Sequence, residues 1–445
     1  MSDWKRPAAL AAVISVIGYM APITRAAAPR DIAVGLCTAL FSGVFGTPSG
    51  EPLAACQWNM ALVKATATEA YPFATGAGVT VGVIDSGIDV NHPDIAANLD
   101  LGRSCSFITT GTPTADPQEV ANGDCSNKMA VQDLGGHGTH VASIIAAPIN
   151  GIGIAGVAPS ATLVALKACT IAGYCFADAV AAALRYAGDQ RIDIVNLSLF
   201  ADPFLFYCES DAEQRTIVRT LQSATRYAQQ RGVLIVAAAG NEATDLQHPG
   251  FDAISPDWPP DAAVTRKVHN SCRVAPAELP GVVTVSATGP IGIPGYDQWV
   301  ASYSSVGNID VTAPGGDYFA ATGTVQDGVL GAVPAGSEIW QSYDSLEQFY
   351  PGLTVTDGGA TYVFLNGTSM ASPHAAGVAA LIKQLHPNWG SDALKAALLR
   401  SSQPLGCPAA WAPFGPEDQR ERCYGGSGHT SFFGQGLVNA ATATR

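Results

Sequence analysis

Asn366-Gly367-Thr368-Ser369-Met370-Ala371-Ser372-Pro373-His374 runs straight into Ala375-Ala376-Gly377-Val378-Ala379-Ala380-Leu381-Ile382. The apolar pattern from Ala375 onward predicts a helix, and Pro373 is tolerated where a first turn needs no backbone donor. A small, tight turn therefore delivers Ser369 to a helix mouth. Unpaired N–H groups and the positive end of the helix dipole meet there, so a developing oxyanion would be stabilised in that place. Two roles fit Ser369: a helix N-cap, the commoner one for a serine before a helix, or a nucleophile. The residues upstream decide between them.

Upstream, near-continuous apolar strands alternate with helices. Val79-Thr80-Val81-Gly82-Val83-Ile84 reads as a buried strand ending at Asp85-Ser86-Gly87, and Gly135-Gly136-His137-Gly138-Thr139-His140 opens a helix over 141–147. Further strands are predicted over 163–167, 193–199, 233–239, 282–287 and 309–313, and helices over 177–187, 211–230 and 391–399. Such alternation predicts a three-layer α/β fold, with a mostly parallel central sheet and helices on both faces. Ligands in these folds sit beyond the carboxyl ends of the strands. Asp85 ends one strand, Asn241 lies just past another, and His137 opens a helix. The stretches 242–275 and 315–362 carry Gly, Pro and aromatic residues and read as long irregular insertions into one domain.

Composition narrows the class. With 47% hydrophobic and 13% charged residues among 445, the chain buries a large core and is not disordered. Its net charge of −14 argues against a nucleic-acid partner, which would need a basic face. Lys5-Arg6, an apolar run over 7–20 and small residues over 24–28 follow the order of a secretory signal, with cleavage after Ala26. The run is short for a bilayer span, so no stable membrane association is expected once it is removed. The expected organisation is a signal over 1–26, an N-terminal segment over 27–56 and the main domain over 57–445. Ten cysteines without a C-x-x-C pair suit disulfides in a secreted or periplasmic chain. Neighbours in sequence are the expected partners: Cys37–Cys56, Cys105–Cys125, Cys169–Cys175, Cys208–Cys272 and Cys407–Cys423.

Each polar residue at the sheet edge is a weak signal alone. Asp before Ser-Gly is often a turn former, and Asn241 is a natural turn or capping residue. His137 could be a loop histidine or, with His140, half of a metal pair, although that pair lacks the usual spacing and glutamate. Their order, Asp85, His137, Asn241, Ser369, is the informative feature, because Asp then His then Ser is the order found in subtilisin. The chain resembles a subtilisin-type serine protease, a subtilase. Val83-Ile84-Asp85-Ser86-Gly87 resembles the family's aspartate motif and Gly136-His137-Gly138-Thr139-His140 its histidine motif. Ala239-Gly240-Asn241 matches its asparagine motif, and Gly367-Thr368-Ser369-Met370-Ala371-Ser372-Pro373-His374 its serine motif. Gly156-Val157-Ala158-Pro159 and Ala313-Pro314-Gly315 are further landmarks, and the likeness spans about residues 57–441.

The resemblance implies acyl transfer with no cofactor for the chemistry: Ser369 as nucleophile, His137 as base, Asp85 orienting it, and Asn241 with the Ser369 N–H binding the oxyanion. It implies a protein or peptide substrate, added as a strand between two edges. One edge is Ser198-Leu199-Phe200, where the family has Ser-Leu-Gly, so Phe200 is expected to narrow or re-aim the specificity pocket. The other is Gly173-Tyr174-Cys175, where Gly-Ser-Gly is frequent, stiffened by the Cys169–Cys175 bridge. Packing is the alternative role for Phe200 and Tyr174. Asp94 and Asn150 resemble part of a structural calcium site of the family, with surface-turn residues as the alternative. Met370 is expected beside Ser369. Residues 27–56 are too few and too apolar for a folded inhibitory propeptide, which leaves room for a separate inhibitor or folding helper. A silent peptide-binding subtilase fold and an esterase-type hydrolase are the rival readings; no Gly-x-Ser-x-Gly elbow surrounds Ser369 to favour the latter.

Overall fold

The computed structural model describes residues 29–296, 300–408, 423–426 and 428–445. The expected signal over 1–26 lies outside the described residues. In chain order the first elements are α1 (Pro29–Phe41), α2 (Trp58–Leu62), β1 (Thr80–Asp85), β2 (Cys105–Ser106), α3 (His137–Ala146) and β3 (Thr162–Lys167). There follow α4 (Ala177–Asp189), β4 (Ile194–Leu197), β5 (Phe206–Cys208), α5 (Ala212–Gln229), β6 (Leu234–Ala238), β7 (Phe251–Asp252), β8 (Arg266–Lys267) and β9 (Cys272–Val274). The chain continues through β10 (Val283–Thr288), β11 (Val311–Pro314), β12 (Val329–Val333), α6 (Glu338–Asp344), β13 (Thr354–Asp357) and β14 (Ala360–Leu365). It closes with α7 (Thr368–Leu385), α8 (Ser391–Ser401), β15 (Gly425–Gly426), β16 (His429–Thr430) and α9 (Ala440–Ala443).

Seven strands form one parallel sheet in the order β11-β10-β6-β4-β1-β3-β2. The apolar runs of the sequence form its buried strands, and all six residues of β1 are buried. Side chains of a strand alternate between faces, and here both faces are apolar. Val81 and Val83 join the core containing Val141, Ile144, Ala376 and Val378 of α3 and α7. Ile84 joins the core on the opposite face, with Val180 and Leu184 of α4 and Leu221 and Ala224 of α5. Burying each such side chain is worth about 1.5–3 kcal/mol, so a sheet covered on both faces follows from the pattern. Gly82 permits close packing there, since a Cβ would stand 2.9 Å from Leu166 Cδ1.

The five disulfides pair as adjacency predicts. Cys37–Cys56 ties α1 to the main body, Arg30 pairs with Asp357 of β13 at 2.8 Å, and Phe41 and Cys37 share a core with Val81 and Val83. The N-terminal segment is thus stitched into the domain.

The 315–362 insertion, expected to be irregular from its Gly and Pro content, is instead ordered. It holds α6 and a three-stranded antiparallel sheet ordered β12-β14-β13. That sheet seats on α3, with the Ala332 N–H donating to Ser143 Oγ at 3.0 Å and His140 Nε2 meeting the Val363 carbonyl at 3.2 Å. The 242–275 stretch is looser but carries the ribbon β7/β8 and pairs its β9 with β5 outside it, a pairing bridged by Cys208–Cys272. No described helix is long and apolar enough to cross a membrane.

Candidate active site

Asp85 is the last residue of β1 and His137 the first of α3. The His137 Nδ1 and Asp85 Oδ1 atoms stand 2.7 Å apart, with Asp85 2% and His137 31% exposed. The Ser86 N–H also donates to Asp85 Oδ1, at 2.7 Å. Burial alone would lower the imidazole pKa, but the charge and hydrogen bond of Asp85, with the charge of Asp133 beyond, leave it raised. Gly138 is where β1 and α3 nearly touch: a Cβ would lie 2.1 Å from the Gly87 carbonyl oxygen.

Asp133 finishes this helix mouth. Its carboxylate accepts the N–H of Gly136 at 2.8 Å, the N–H and hydroxyl of Thr139 at 2.9 and 2.7 Å, and the Ser86 hydroxyl at 2.9 Å. Ser86 Oγ in turn accepts the Gly138 N–H at 2.9 Å. Burial raises the Asp133 pKa, with the Lys167 charge and these donors opposing it. Lys167, at the end of β3, pairs with Glu119 at 2.8 Å, both side chains fully buried, and donates to the Ser86 and Gln132 carbonyls.

Ser369 lies at the mouth of α7, but not as its cap. The helix starts at Thr368 with Gly367 before it, and the Ser369 hydroxyl donates to the Ser198 carbonyl at 3.2 Å. Pro373 falls beyond the first turn, contrary to the reading of the sequence. Lacking an N–H, it leaves the carbonyl four residues earlier without its helical donor. That carbonyl is Ser369's, and the Ser198 hydroxyl donates to it at 2.7 Å. The proline thus frees the bond that ties Ser369 to the end of β4. Ser198 Oγ is held in turn by the Asn196 amide at 3.0 Å.

Asn241 meets the same helix mouth. Its Oδ1 accepts the Thr368 N–H at 2.8 Å and the Thr368 hydroxyl at 2.9 Å, while Thr368 Oγ1 accepts the Gly240 N–H at 3.1 Å. With the oxygen occupied by donors, the amide presents Nδ2 outward. Among the described residues no hydrogen bond joins Ser369 to His137. Hydrogen bonds between nucleophile and base are often long before substrate binds.

Of the two proposed edges, Leu199 and Phe200 are half-buried and Gly173 is exposed at a turn. Tyr174 is buried, stacked on Phe176 at 5.7 Å and meeting Trp258 edge-on at 5.2 Å, which is a packing role for its ring. Met370 is buried beside Ser369. His140 is a core histidine turned toward β14, its pKa pushed down to about 3 by burial, and is no metal partner for His137.

Asp94 and Asn150, where the resemblance places a structural calcium, lie close together, with Asn150 Nδ2 facing the Pro93 carbonyl at 3.5 Å. Asn150 Oδ1 accepts the Ile152 N–H at 2.9 Å, and Asp94 Oδ2 accepts the Ile154 N–H and the Tyr362 hydroxyl, each at 3.0 Å. Glu51 Oε2 and Asp94 Oδ1 are buried with no hydrogen-bond partner among the described residues. Burial first of all pushes the Asp94 pKa up to about 8.

Asp133, Thr368, Lys167 and Glu119 were not singled out from the sequence. An aspartate just before a helix start is a readable capping signal, and Thr368 adjoins the serine. Nothing marks Glu119, which a disulfide-closed loop brings to Lys167.

A serine hydrolase is the class that this fold and this cluster describe. Residues 76–436 match the model of the subtilase family. Subtilisin Savinase of Lederbergia lenta is 31% identical over 389 residues, covering 87% of this chain and 98% of its own. M-protease of Shouchella clausii (strain KSM-K16) is also 31% identical over 389 residues, covering 87% of this chain and 70% of its own. Among solved structures, a lanthipeptide protease superposes with a TM-score of 0.60 at 23% identity, a likeness of fold, over 87% of this chain and 93% of that one. A protease of Pseudoalteromonas arctica PAMC 21717 does so with a TM-score of 0.56 at 26% identity, over 90% and 99%. The chain belongs to the subtilase family and is a subtilisin-like serine endopeptidase.

Proposed function

We propose that the protein is an exported endopeptidase that hydrolyses peptide bonds through an acyl-enzyme on Ser369. The observation that carries this reading is the 2.7 Å bond between Asp85 and His137. An imidazole fixed at Nδ1 offers Nε2 as a base. The Ser369 hydroxyl, once released from the Ser198 carbonyl, attacks the substrate carbonyl carbon and passes its proton to Nε2 of His137. The oxyanion is held by Asn241 Nδ2 and the Ser369 N–H. Collapse breaks the C–N bond, and His137 returns the proton to the departing amine. Water then repeats the sequence and releases the acid. No cofactor enters the chemistry, and a structural calcium would be held by Asp94 and Asn150, supported by the buried, unpartnered Asp94 Oδ1.

Export is supported by the five disulfides, which persist in oxidising compartments. An active-site-directed phosphonate should label Ser369, and Ser369→Ala should lose both labelling and peptide hydrolysis while remaining folded. Undiminished hydrolysis by the variant would overturn the assignment.

A further inference from the structure

β1 ends at Asp85, level with the end of β3 at Lys167 and one position beyond the end of β4 at Leu197, and the chain on either side of it continues as loop. One continues past Lys167 of β3 into 168–176, and the other past Leu197 of β4 into 198–202. Between them lies a slot one strand wide, roughly 10 Å across at the usual strand spacing. Its mouth is Ser198, whose hydroxyl and carbonyl both bond Ser369. Among the described residues, the backbone groups of Leu199 and Phe200 have no backbone partner, so they are open to an added strand.

The slot then closes. At Ala201 the N–H donates to the Ala275 carbonyl at 2.8 Å, and the carbonyl accepts the Tyr207 hydroxyl at 2.6 Å. At Asp202 the two walls meet. Its N–H donates to the Cys175 carbonyl at 2.9 Å, its carbonyl accepts the Ala177 N–H at 3.1 Å, and its carboxylate accepts the Cys175 N–H. Phe176 and Asp202 form a parallel bridge, so the walls here are one strand spacing apart rather than two.

The closure is braced from both sides. Cys175 is bridged to Cys169 with Cα atoms 4.0 Å apart, and the Cys169 N–H donates to the Asp85 carbonyl at 3.1 Å. Trp258, from the 242–275 insertion, covers the junction by meeting Tyr174 and Phe176 edge-on at 5.2 and 6.2 Å.

We propose that the junction of Cys175, Phe176 and Ala177 with Asp202 is a stop, confining substrate reading to about three residues on the acyl side of the scissile bond. It rests on Ser369 being the nucleophile. The acyl half stays bonded to Ser369, which is tied to Ser198, so that half lies along 198–202. The amine half leaves over His137, which protonates it. A longer chain must turn out of the slot toward solvent at Asp202. The substrate is therefore an extended segment selected by the few residues just before the cleaved bond.

Fluorogenic peptides with one to six acyl-side residues and one common leaving group test this on the unmodified protein. The expected kcat/KM climbs by about fivefold for each added backbone hydrogen bond up to about the third residue, then stays flat within about twofold. A continued climb through the fourth and fifth residues would overturn the stop. In Trp258→Ala combined with Cys169→Ser and Cys175→Ser, a gain at the fourth residue is expected. A folded variant with the unmodified profile would remove these side chains from the stop. No turnover at any length, with no phosphonate labelling of Ser369, would overturn the nucleophile assignment instead.

Discussion

α3 and α7 both start at the carboxyl edge of the sheet and carry His137 and Ser369 in their first turns, yet their mouths are finished differently. At α3 the protein supplies its own acceptors. Asp133 and Ser86 take the N–H groups of Gly136, Gly138 and Thr139 and the Gly136 carbonyl takes that of His140, so that among the described residues only the His137 N–H at that mouth lacks a partner. At α7 the Thr368 N–H goes to Asn241 and the Met370 N–H to the Gly367 carbonyl at 3.0 Å, while the Ser369 N–H has no partner among the described residues. On the proposed mechanism the more filled mouth holds a base still and the more open one waits for a negative charge. The same helix-end chemistry would then serve positioning in one place and transition-state binding in the other.

The sharpest way to break this contrast is to spoil the open mouth. Asn241→Ala is expected to lower kcat by about 100- to 1,000-fold with KM little changed, a magnitude taken from subtilisin itself. A loss confined to KM would show that the amide binds ground-state substrate and not the oxyanion. Spoiling the filled mouth should act on stability and on the imidazole. Asp133→Asn sets an amide NH2 against donors and is expected to cost about 2 kcal/mol of unfolding free energy in denaturant titration. It also removes one of the charges that raise the His137 pKa. The base works only when neutral, so the acid limb of the kcat/KM profile should lie above the ordinary imidazole range in the unmodified enzyme and move to lower pH in the variant. A limb that stays put would leave Asp133 as a structural cap alone.

The contrast also explains what could be read from the sequence. Strand runs such as 79–84, and motif residues at their ends, are local patterns imposed by burial on both faces and by turn geometry. Asp85, His137, Asn241 and Ser369 were legible for that reason. The ordered sheet inside 315–362 was not, because its strands are short and punctuated by glycine, and their partners lie along α3. Whether Tyr174 packs or lines the substrate edge stayed open in the sequence on similar grounds. Its ring is committed by Trp258, more than eighty residues away in sequence, and no spacing rule reports such a contact. Pro373 is the instructive case: its position was plain, yet its consequence, a freed Ser369 carbonyl for Ser198, depended on where the helix began.

The finest test separates the two constraints on Asn241. Its oxygen is held by the Thr368 backbone at 2.8 Å and by the Thr368 hydroxyl at 2.9 Å. Thr368→Val keeps the first and deletes the second, along with the acceptor for the Gly240 N–H. If the hydroxyl fixes which way the amide points, part of the population will lose Nδ2 from the oxyanion position. The expected result is a fall in kcat of about fivefold, the worth of one net hydrogen bond, with KM unchanged. Thr368→Ser should restore it, because the hydroxyl returns without the methyl. A Thr368→Val enzyme that loses stability but keeps its kcat would show that the backbone bond alone orients the amide. The open mouth would then be set by the helix itself, with no help from the side chain that begins it.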